Sequence, residues 1–513
     1  MNLEVKVKAS LQTVLNQPIN ELVKSNFVKA LLNQDSNMWG ELAADEARHR
    51  LGWTLNPSRW LNLAKKIDAF RENLRARGIN RFLLCGMGGS SLGPEVIAEN
   101  ENLNLQVIDS THPDELAGLL NADLSQTLVI VASKSGGTLE TECHRILFEE
   151  ALMGQGLDPA EHLVIVTDPG SPLYVEAQNK GYPLFEGDPK IGGRYSALSP
   201  FGLVPTGLAG LDLVKFIEDA EQGYLLCTDP GESNPALHLG TAIAAEGINS
   251  RKLLFYPDPN NRQFFDWVEQ LIAESSGKDG KGILPLRKIN SSEFSNCTSV
   301  GGPGSGAEVE VSGSLGAQMI LWLFAIAVAC ARMGVNPFDQ PNVESSKEVT
   351  RELLRTSRSR PRTIGKIANL DILHSRRAEK LGDDSKLESL IRFAAKGQNY
   401  IAICAFAPRQ NIDIWESLQK VFAEVAGKPV TLGFGPRFLH STGQLHKGGP
   451  REGGFFQIIQ YPSFELPVPG RDYSFNDLVF AQATGDAEVL ETQGRPLVRL
   501  GGDFQSISSI LES

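Results

Sequence analysis

An α/β fold built on parallel sheets is what this sequence predicts, and three patterns point to it. From about residue 79, short apolar runs at Phe82–Cys85, Leu105–Ile108, Leu128–Val131 and Leu163–Val166 each end in a Gly/Ser/Thr turn and give way to helical spacing. A second series begins at Lys252–Tyr256 (KLLFY) and continues with Tyr400–Ala405, Val430–Gly433 and Phe455–Gln460. Before residue 79 the apolar positions, among them Leu61, Leu63, Ala64, Ile67, Phe70 and Leu74, keep the spacing of one helical face.

In chain order these patterns predict a helical N-terminal layer over residues 1–78 and a first α/β domain over 79–235. A second α/β domain follows over 236–465, broken by a largely helical insertion at about 260–395. The extension over 466–513 reads as a helix followed by a strand and shows no reactive grouping. Within the insertion lies the most apolar segment, Met319–Ala331, which is shorter than the roughly 20 residues of a membrane span and is expected to be a buried core helix. The basic stretch Arg355–Arg362 (RTSRSRPR) is expected to be a solvated connection.

The 513 residues exceed what one hydrophobic core organises, and 41% hydrophobic with 21% charged residues is ordinary globular composition. A net charge of -12 speaks against a nucleic-acid surface, which needs a basic face. The six cysteines are far apart, form no CxxC pair and sit mostly in apolar runs, the usage of reduced core thiols. The N-terminal MNLEVKVKASLQTVLNQ lacks the features of a signal peptide. The expected setting is cytoplasmic, with no membrane partner.

Several turns carry groups that suit an anion. The first, Phe82–Val96 (FLLCGMGGSSLGPEV), puts glycines at 86, 88, 89 and 93 before a helix, a turn that lets backbone approach an anion or merely packs tightly. It is not a dinucleotide fingerprint, since the third glycine of GxGxxG falls on Ser91. The third turn, Thr127–Thr141 (TLVIVASKSGGTLET), gathers Ser133, Lys134, Ser135 and Thr138 at a helix start. Hydroxyls, backbone donors and the helix dipole there fit a phosphate monoester, and helix capping by Ser135 or Thr138 is compatible with it.

Other segments carry candidates for proton transfer. Arg194 follows two glycines in Lys190–Pro205 (KIGGRYSALSPFGLVP), where a permanently charged guanidinium can face a substrate or brace a carboxylate. Gln270 and Glu274 stand four apart in Arg262–Pro285 and share a helix face. A carboxylate closing an apolar helix is a general base if desolvated, and a surface glutamate gives the same pattern. Gly334–Lys347 (GVNPFDQPNVESSK) offers Gln340, Glu344 and Lys347, and Gly435–Pro450 (GPRFLHSTGQLHKGGP) offers His440 and His446. There is no HExxH and no Cys/His cluster, so no metal is expected.

Together these segments resemble the phosphoglucose isomerase family, whose members carry two sugar-isomerase (SIS) domains. GMGGSSLGP is similar to the family's first glycine-rich turn, SKSGGTLET to its phosphate loop, and GGRYSALSPFGLVP and FDQPNVESSK to its two signatures. AESSGKDGKG resembles the segment of the catalytic glutamate, and LHSTGQ that of the ring-opening histidine. In most members the histidine segment precedes FDQxxVExxK, whereas here His440 follows Lys347. That order is similar to the isomerase domain of transaldolase/glucose-6-phosphate isomerase fusions.

The resemblance implies two SIS-type α/β/α sandwich domains, interconversion of glucose 6-phosphate and fructose 6-phosphate, no cofactor and a homodimer. It implies that Gly89, Ser90, Ser133, Lys134, Ser135 and Thr138 bind the sugar phosphate, chiefly its phosphate. Glu274 is implied as the base between C2 and C1, and Arg194 as the stabiliser of the enediolate. Gln270 and Gln340 are implied as substrate contacts, with His440 and Lys347 serving ring opening and substrate contact. Two alternatives stay beside this one: an isomerase that also accepts mannose 6-phosphate, and a SIS-type sensor without turnover.

Overall fold

The structure, a computed structural model, describes residues 3–245, 251–257, 263–289, 297–356, 360–367, 369–376 and 386–511. Two compact units emerge. The first comprises Met1–Asp109, Asp123–Ser276 and Lys281–Asp339, and the second Ser110–Ala122, Gly277–Gly280 and Gln340–Ser513.

Strand β1 (Glu4–Val7) opens the chain, and helices fill most of the N-terminal layer after it. In the helix Leu61–Ala76, Ala64, Ile67 and Leu74 are buried on the face predicted from their spacing. Strands β2 (Arg81–Gly86), β3 (Leu105–Ile108), β4 (Thr127–Ala132), β5 (Leu163–Thr167) and β6 (Leu184–Glu186) form a sheet in the order β3-β2-β4-β5-β6, every pair parallel. All six residues of β4 and all five of β5 are buried, as uninterrupted apolar runs require when both sheet faces are covered.

A second sheet of the first unit contains β7 (Lys252–Phe255), β8 (Leu284–Arg287), β9 (Thr298–Gly301) and β10 (Val309–Ser312) in the order β1-β10-β9-β7-β8. Its strands pair in parallel except β1, which runs antiparallel to β10. The helix Leu315–Met333 is long and apolar enough to cross a membrane by composition, yet 83% of its most apolar window is buried inside the fold. It belongs to the continuous hydrophobic core of this unit.

The second unit holds β11 (Thr363–Ile367), β12 (Leu370–Leu373), β13 (Tyr400–Phe406), β14 (Val430–Phe434), β15 (Gly453–Gln460) and β16 (Leu497–Gly502). They run in the order β11-β12-β16-β15-β13-β14 around their own core, which includes Trp415, Phe422 and Phe456.

The expected second domain over 236–465 therefore divides. KLLFY is β7 of one sheet, while the later runs of that series are β13, β14 and β15 of another. The insertion at about 260–395 holds the helices Phe264–Ser276, Leu315–Met333, Pro341–Thr356 and Leu387–Ala395, and between them it also supplies the short strands β8 to β12. These strands are only four or five residues long and several are partly exposed, so they show no apolar run. The extension over 466–513 has the predicted helix, Phe475–Thr492, and strand, β16, and β16 is an interior strand of the third sheet. Of Arg355–Arg362, residues 357–359 lie outside the described residues, while Arg355, Arg360 and Arg362 are exposed as expected.

Candidate functional site

All three sheets repeat one parallel order, in which the second strand flanks the first on one side and the third flanks it on the other. Such sheets have a topological switch point, where the connections from adjacent strands diverge and leave a crevice at the carboxyl ends. In the first sheet this crevice lies between β2 and β4, whose last residues Gly86 and Ala132 are register partners. The two turns rich in Gly and Ser therefore leave neighbouring strands side by side.

After β4 the chain enters the helix Leu139–Gly154 through Thr138, whose own side chain makes no capping hydrogen bond. The Ser133 hydroxyl donates to the Thr138 hydroxyl at 3.0 Å, and the Gly137 N–H donates to Ser135 Oγ at 3.3 Å. Ser135 is exposed and Ser133 is buried. Gly136 has φ +66°, and a Cβ there would lie 2.7 Å from Ser171 Oγ, so both conformation and space demand glycine. The result is a turn of hydroxyls and backbone amides at a helix N-terminus, suited to an anion.

Lys134, implied as a phosphate contact, has its side chain engaged by two other groups. Its ammonium donates to Asp168 Oδ2 at 2.5 Å and to the Asp188 carbonyl at 2.8 Å. Burial pulls the Lys134 ammonium below its usual pKa and lifts the Asp168 carboxyl above the usual carboxylate range, against the hydrogen bond that joins them.

After β2, Gly88–Ser90 make a 3-10 turn, and Gly89 and Ser90 are buried. A Cβ on Gly89 would collide with the Gly193 carbonyl, so the first turn lies directly against the segment that carries Arg194. That segment, Gly193–Leu198, is also a 3-10 turn. It is held by aromatic packing: Tyr195 stacks on Trp53 with centroids 4.9 Å apart and meets Phe338 at 5.5 Å.

Gln270 and Glu274 are buried on the helix Phe264–Ser276, one turn apart. The Gln270 amide donates to Glu274 Oε2 at 3.0 Å, and Arg194 Nε lies 3.4 Å from the same oxygen. Arg194 also donates to the carbonyls of Glu274 (3.2 Å), Pro337 (2.6 Å) and Asp339 (3.2 Å). The two charged side chains are only 4% and 7% exposed, which removes the surface-glutamate reading of Glu274. A desolvated carboxylate held between a fixed cation and an amide is equipped to exchange a proton with a weak carbon acid.

Gln340, Lys347 and His440 belong to the second unit. Lys347 is half-buried on the helix Pro341–Thr356, and His440 is half-buried at the end of the 3-10 turn Arg437–His440. Of Glu344 only the backbone, within that helix, is described. His446 is fully buried, and desolvation, with the Lys447 and Arg495 charges, holds its pKa down at about 3. It stays neutral near pH 7 and cannot shuttle protons there.

Two sets of residues went unnoticed in the sequence. Asp168 and Asp188 hold Lys134, and they stand in turns whose composition signals only a bend. Gln444 donates to the Gly277 carbonyl and to Asn342 Oδ1, both at 2.9 Å, and accepts from the Asn342 N–H at 3.1 Å. It thereby ties the turn Gly277–Gly280 to the start of the Pro341–Thr356 helix.

The switch crevice of the third sheet, between β13 and β15, is filled by the chain itself. His112 Nε2 lies 3.1 Å from the Gln460 carbonyl, Ser463 donates its hydroxyl to Asp114 at 2.7 Å, and the Arg409 N–H donates to Glu115 at 3.4 Å.

Residues 62–285 match the family model for phosphoglucose isomerase. A glucose-6-phosphate isomerase of Synechococcus sp. (strain JA-2-3B'a(2-13)) is 32% identical over 296 residues, covering 51% of this chain and 55% of that protein. The chain spans about half the length of the first curated relatives it matches. Among solved structures, hypothetical protein TT0462 from Thermus thermophilus superposes with a TM-score of 0.58 at 23% identity, covering 68% of this chain and all of that one. A glucose-6-phosphate isomerase from Chlamydia trachomatis gives 0.53 at 20% identity, covering 68% and 86%. At these identities the superpositions establish the shared fold.

Proposed function

We propose that this protein, whose residues 62–285 match the phosphoglucose isomerase family model, interconverts glucose 6-phosphate and fructose 6-phosphate through a cis-enediolate. The observation that carries this reading is the buried Glu274 carboxylate, held by Arg194 and Gln270. An aldose–ketose shift moves one weakly acidic proton between neighbouring carbons, and one carboxylate serves both transfers.

In this reading the phosphate rests on the hydroxyls of Ser133, Ser135 and Thr138 and on the amides that open the Leu139–Gly154 helix, with Gly89 and Ser90 on the neighbouring turn. Tethering the phosphate fixes the sugar carbons against the base and removes most of the orientational cost. His440, with Lys347, opens the cyclic sugar, and Gln270 and Gln340 contact substrate hydroxyls. Glu274 takes the proton from C2, Arg194 offsets the negative enediolate oxygen, and Glu274 returns the proton to C1. The redox state of the substrate as a whole is unchanged, so the scheme calls on no nucleotide, and it uses no metal.

A non-catalytic sensor would have no use for a desolvated carboxylate beside a fixed guanidinium, and this favours the enzyme. A homodimer and a cytoplasmic setting accompany the reading. The test is coupled detection of fructose 6-phosphate formed from glucose 6-phosphate, with and without chelator, and with mannose 6-phosphate alongside. Turnover unaffected by chelator is expected, whereas binding of 6-phosphosugars without turnover would select the sensor.

A further inference from the structure

We propose that Asp168 is a positioning residue that keeps the Lys134 ammonium off the phosphate and uses it to tie the phosphate loop to the loop leading to Arg194. This rests on the isomerase reading for what those two loops do.

The topology sets the direction. The crevice opens between β2 and β4, whereas Lys134 leans the other way, to Asp168 after β5 and to the Asp188 carbonyl after β6. Asp168 is tightly held. Its Oδ1 is buried with no hydrogen-bond partner among the described residues, and it lies so close to Gly187 that a Cβ there would collide with it. Its N–H donates to the Lys134 carbonyl at 3.4 Å, and the preceding Thr167 hydroxyl donates to the Ser133 carbonyl at 2.6 Å.

The far end of the strut is equally fixed. The Asp188 carboxylate pairs with Arg59 and accepts the Lys190 N–H at 2.9 Å, and the chain then runs through Gly193, pressed against Gly89, to Arg194. Lys134 and Asp168 are 18% and 16% exposed, so their charges largely cancel within the protein. A free ammonium is a mobile point charge that attracts a phosphate in many poses. With that charge taken up, the loop holds the phosphate by directional hydroxyl and amide donors, and a single pose is selected.

The experiment compares Lys134→Met, Asp168→Asn, the double variant and Lys134→Arg, measuring the Kd of inorganic phosphate by calorimetry and kcat with fructose 6-phosphate. Lys134→Met should change the phosphate Kd by less than about threefold, and Asp168→Asn, by releasing the ammonium, should tighten it about three- to tenfold. Adding Lys134→Met to Asp168→Asn should abolish that gain, which marks the two as coupled. Both single variants should lower kcat about tenfold through misplaced substrate, and Lys134→Arg should restore most of it.

Phosphate binding weakened more than about tenfold in Lys134→Met, with Asp168→Asn neutral, would make Lys134 a direct ligand and overturn the proposal. Unchanged kcat and Kd with only a lower unfolding midpoint would reduce the pair to a structural brace and overturn it equally. Wild-type protein that binds phosphate but forms no product defeats the isomerase reading instead, and the Kd series then still decides what Lys134 touches.

Discussion

Arg194 grips Glu274 at two points, donating to its backbone carbonyl at 3.2 Å while Nε stands 3.4 Å from its carboxylate. One side chain thus anchors the end of the Phe264–Ser276 helix and compensates the charge that the helix buries. Neither role is open to the other cation: an ammonium lacks the planar fork that spans a carboxylate and three carbonyls.

Arg194→Lys should therefore cost stability as well as activity. Leaving buried carbonyls without donors costs about 1–3 kcal/mol, a loss that urea unfolding would reveal. Turnover should fall along with it, and a lysine variant with wild-type stability would mean that the carbonyls find other donors.

Glu274→Gln keeps length and shape but removes the carboxylate proposed as the base. Turnover should drop by about two to four orders of magnitude, while circular dichroism stays near wild type and the unfolding midpoint falls, because Arg194 is left buried without its counter-charge. Near-normal turnover in the coupled assay would remove Glu274 from the proton path.

Gly89 and Gly137 offer a matched pair. A Cβ at Gly89 meets the Gly193 carbonyl, whereas one at Gly137 has nothing within 4 Å. Gly89→Ala should force the first turn away from the Arg194 segment, costing about 1–3 kcal/mol and most of the activity. Gly137→Ala should be tolerated in folding, and equal effects from the two would show that the Gly89 contact relaxes freely.

The strands β2 to β5 were legible because buried parallel strands are written as apolar runs, as in Leu128–Val131 and Leu163–Val166. The helix carrying Gln270 and Glu274 was legible too, but the burial of Glu274 was not, since its partner Arg194 stands 80 positions away along the chain. What failed was the pairing of distant strands. Periodicity identifies KLLFY and YIAICA as strands without saying that they join different sheets. Lys134 shows the same limit at a single residue: its motif predicts a loop, but the direction of its ammonium depends on Asp168, which the sequence does not connect to it.

The buried His446 yields a prediction in pH. Its ring sits edge-on to Phe455 at 5.1 Å between centroids, Nδ1 has no partner among the described residues, and the neighbouring Lys447 and Arg495 charges oppose protonation. Its pKa falls from 6.5 to about 3 on folding. Below pH 6.5 the unfolded chain therefore takes up a proton that the native protein refuses, and stability declines as the pH falls toward 3. One pKa unit corresponds to about 1.4 kcal/mol, so this residue alone should cost about 2 kcal/mol between about pH 7.5 and 5. His446→Phe cannot take up that proton. The difference in unfolding free energy between wild type and His446→Phe should shift by this amount, in favour of the variant, across the same interval. Parallel stability curves from urea titrations at the two ends of that interval would show that the ring is reached by solvent and protonates in the native state.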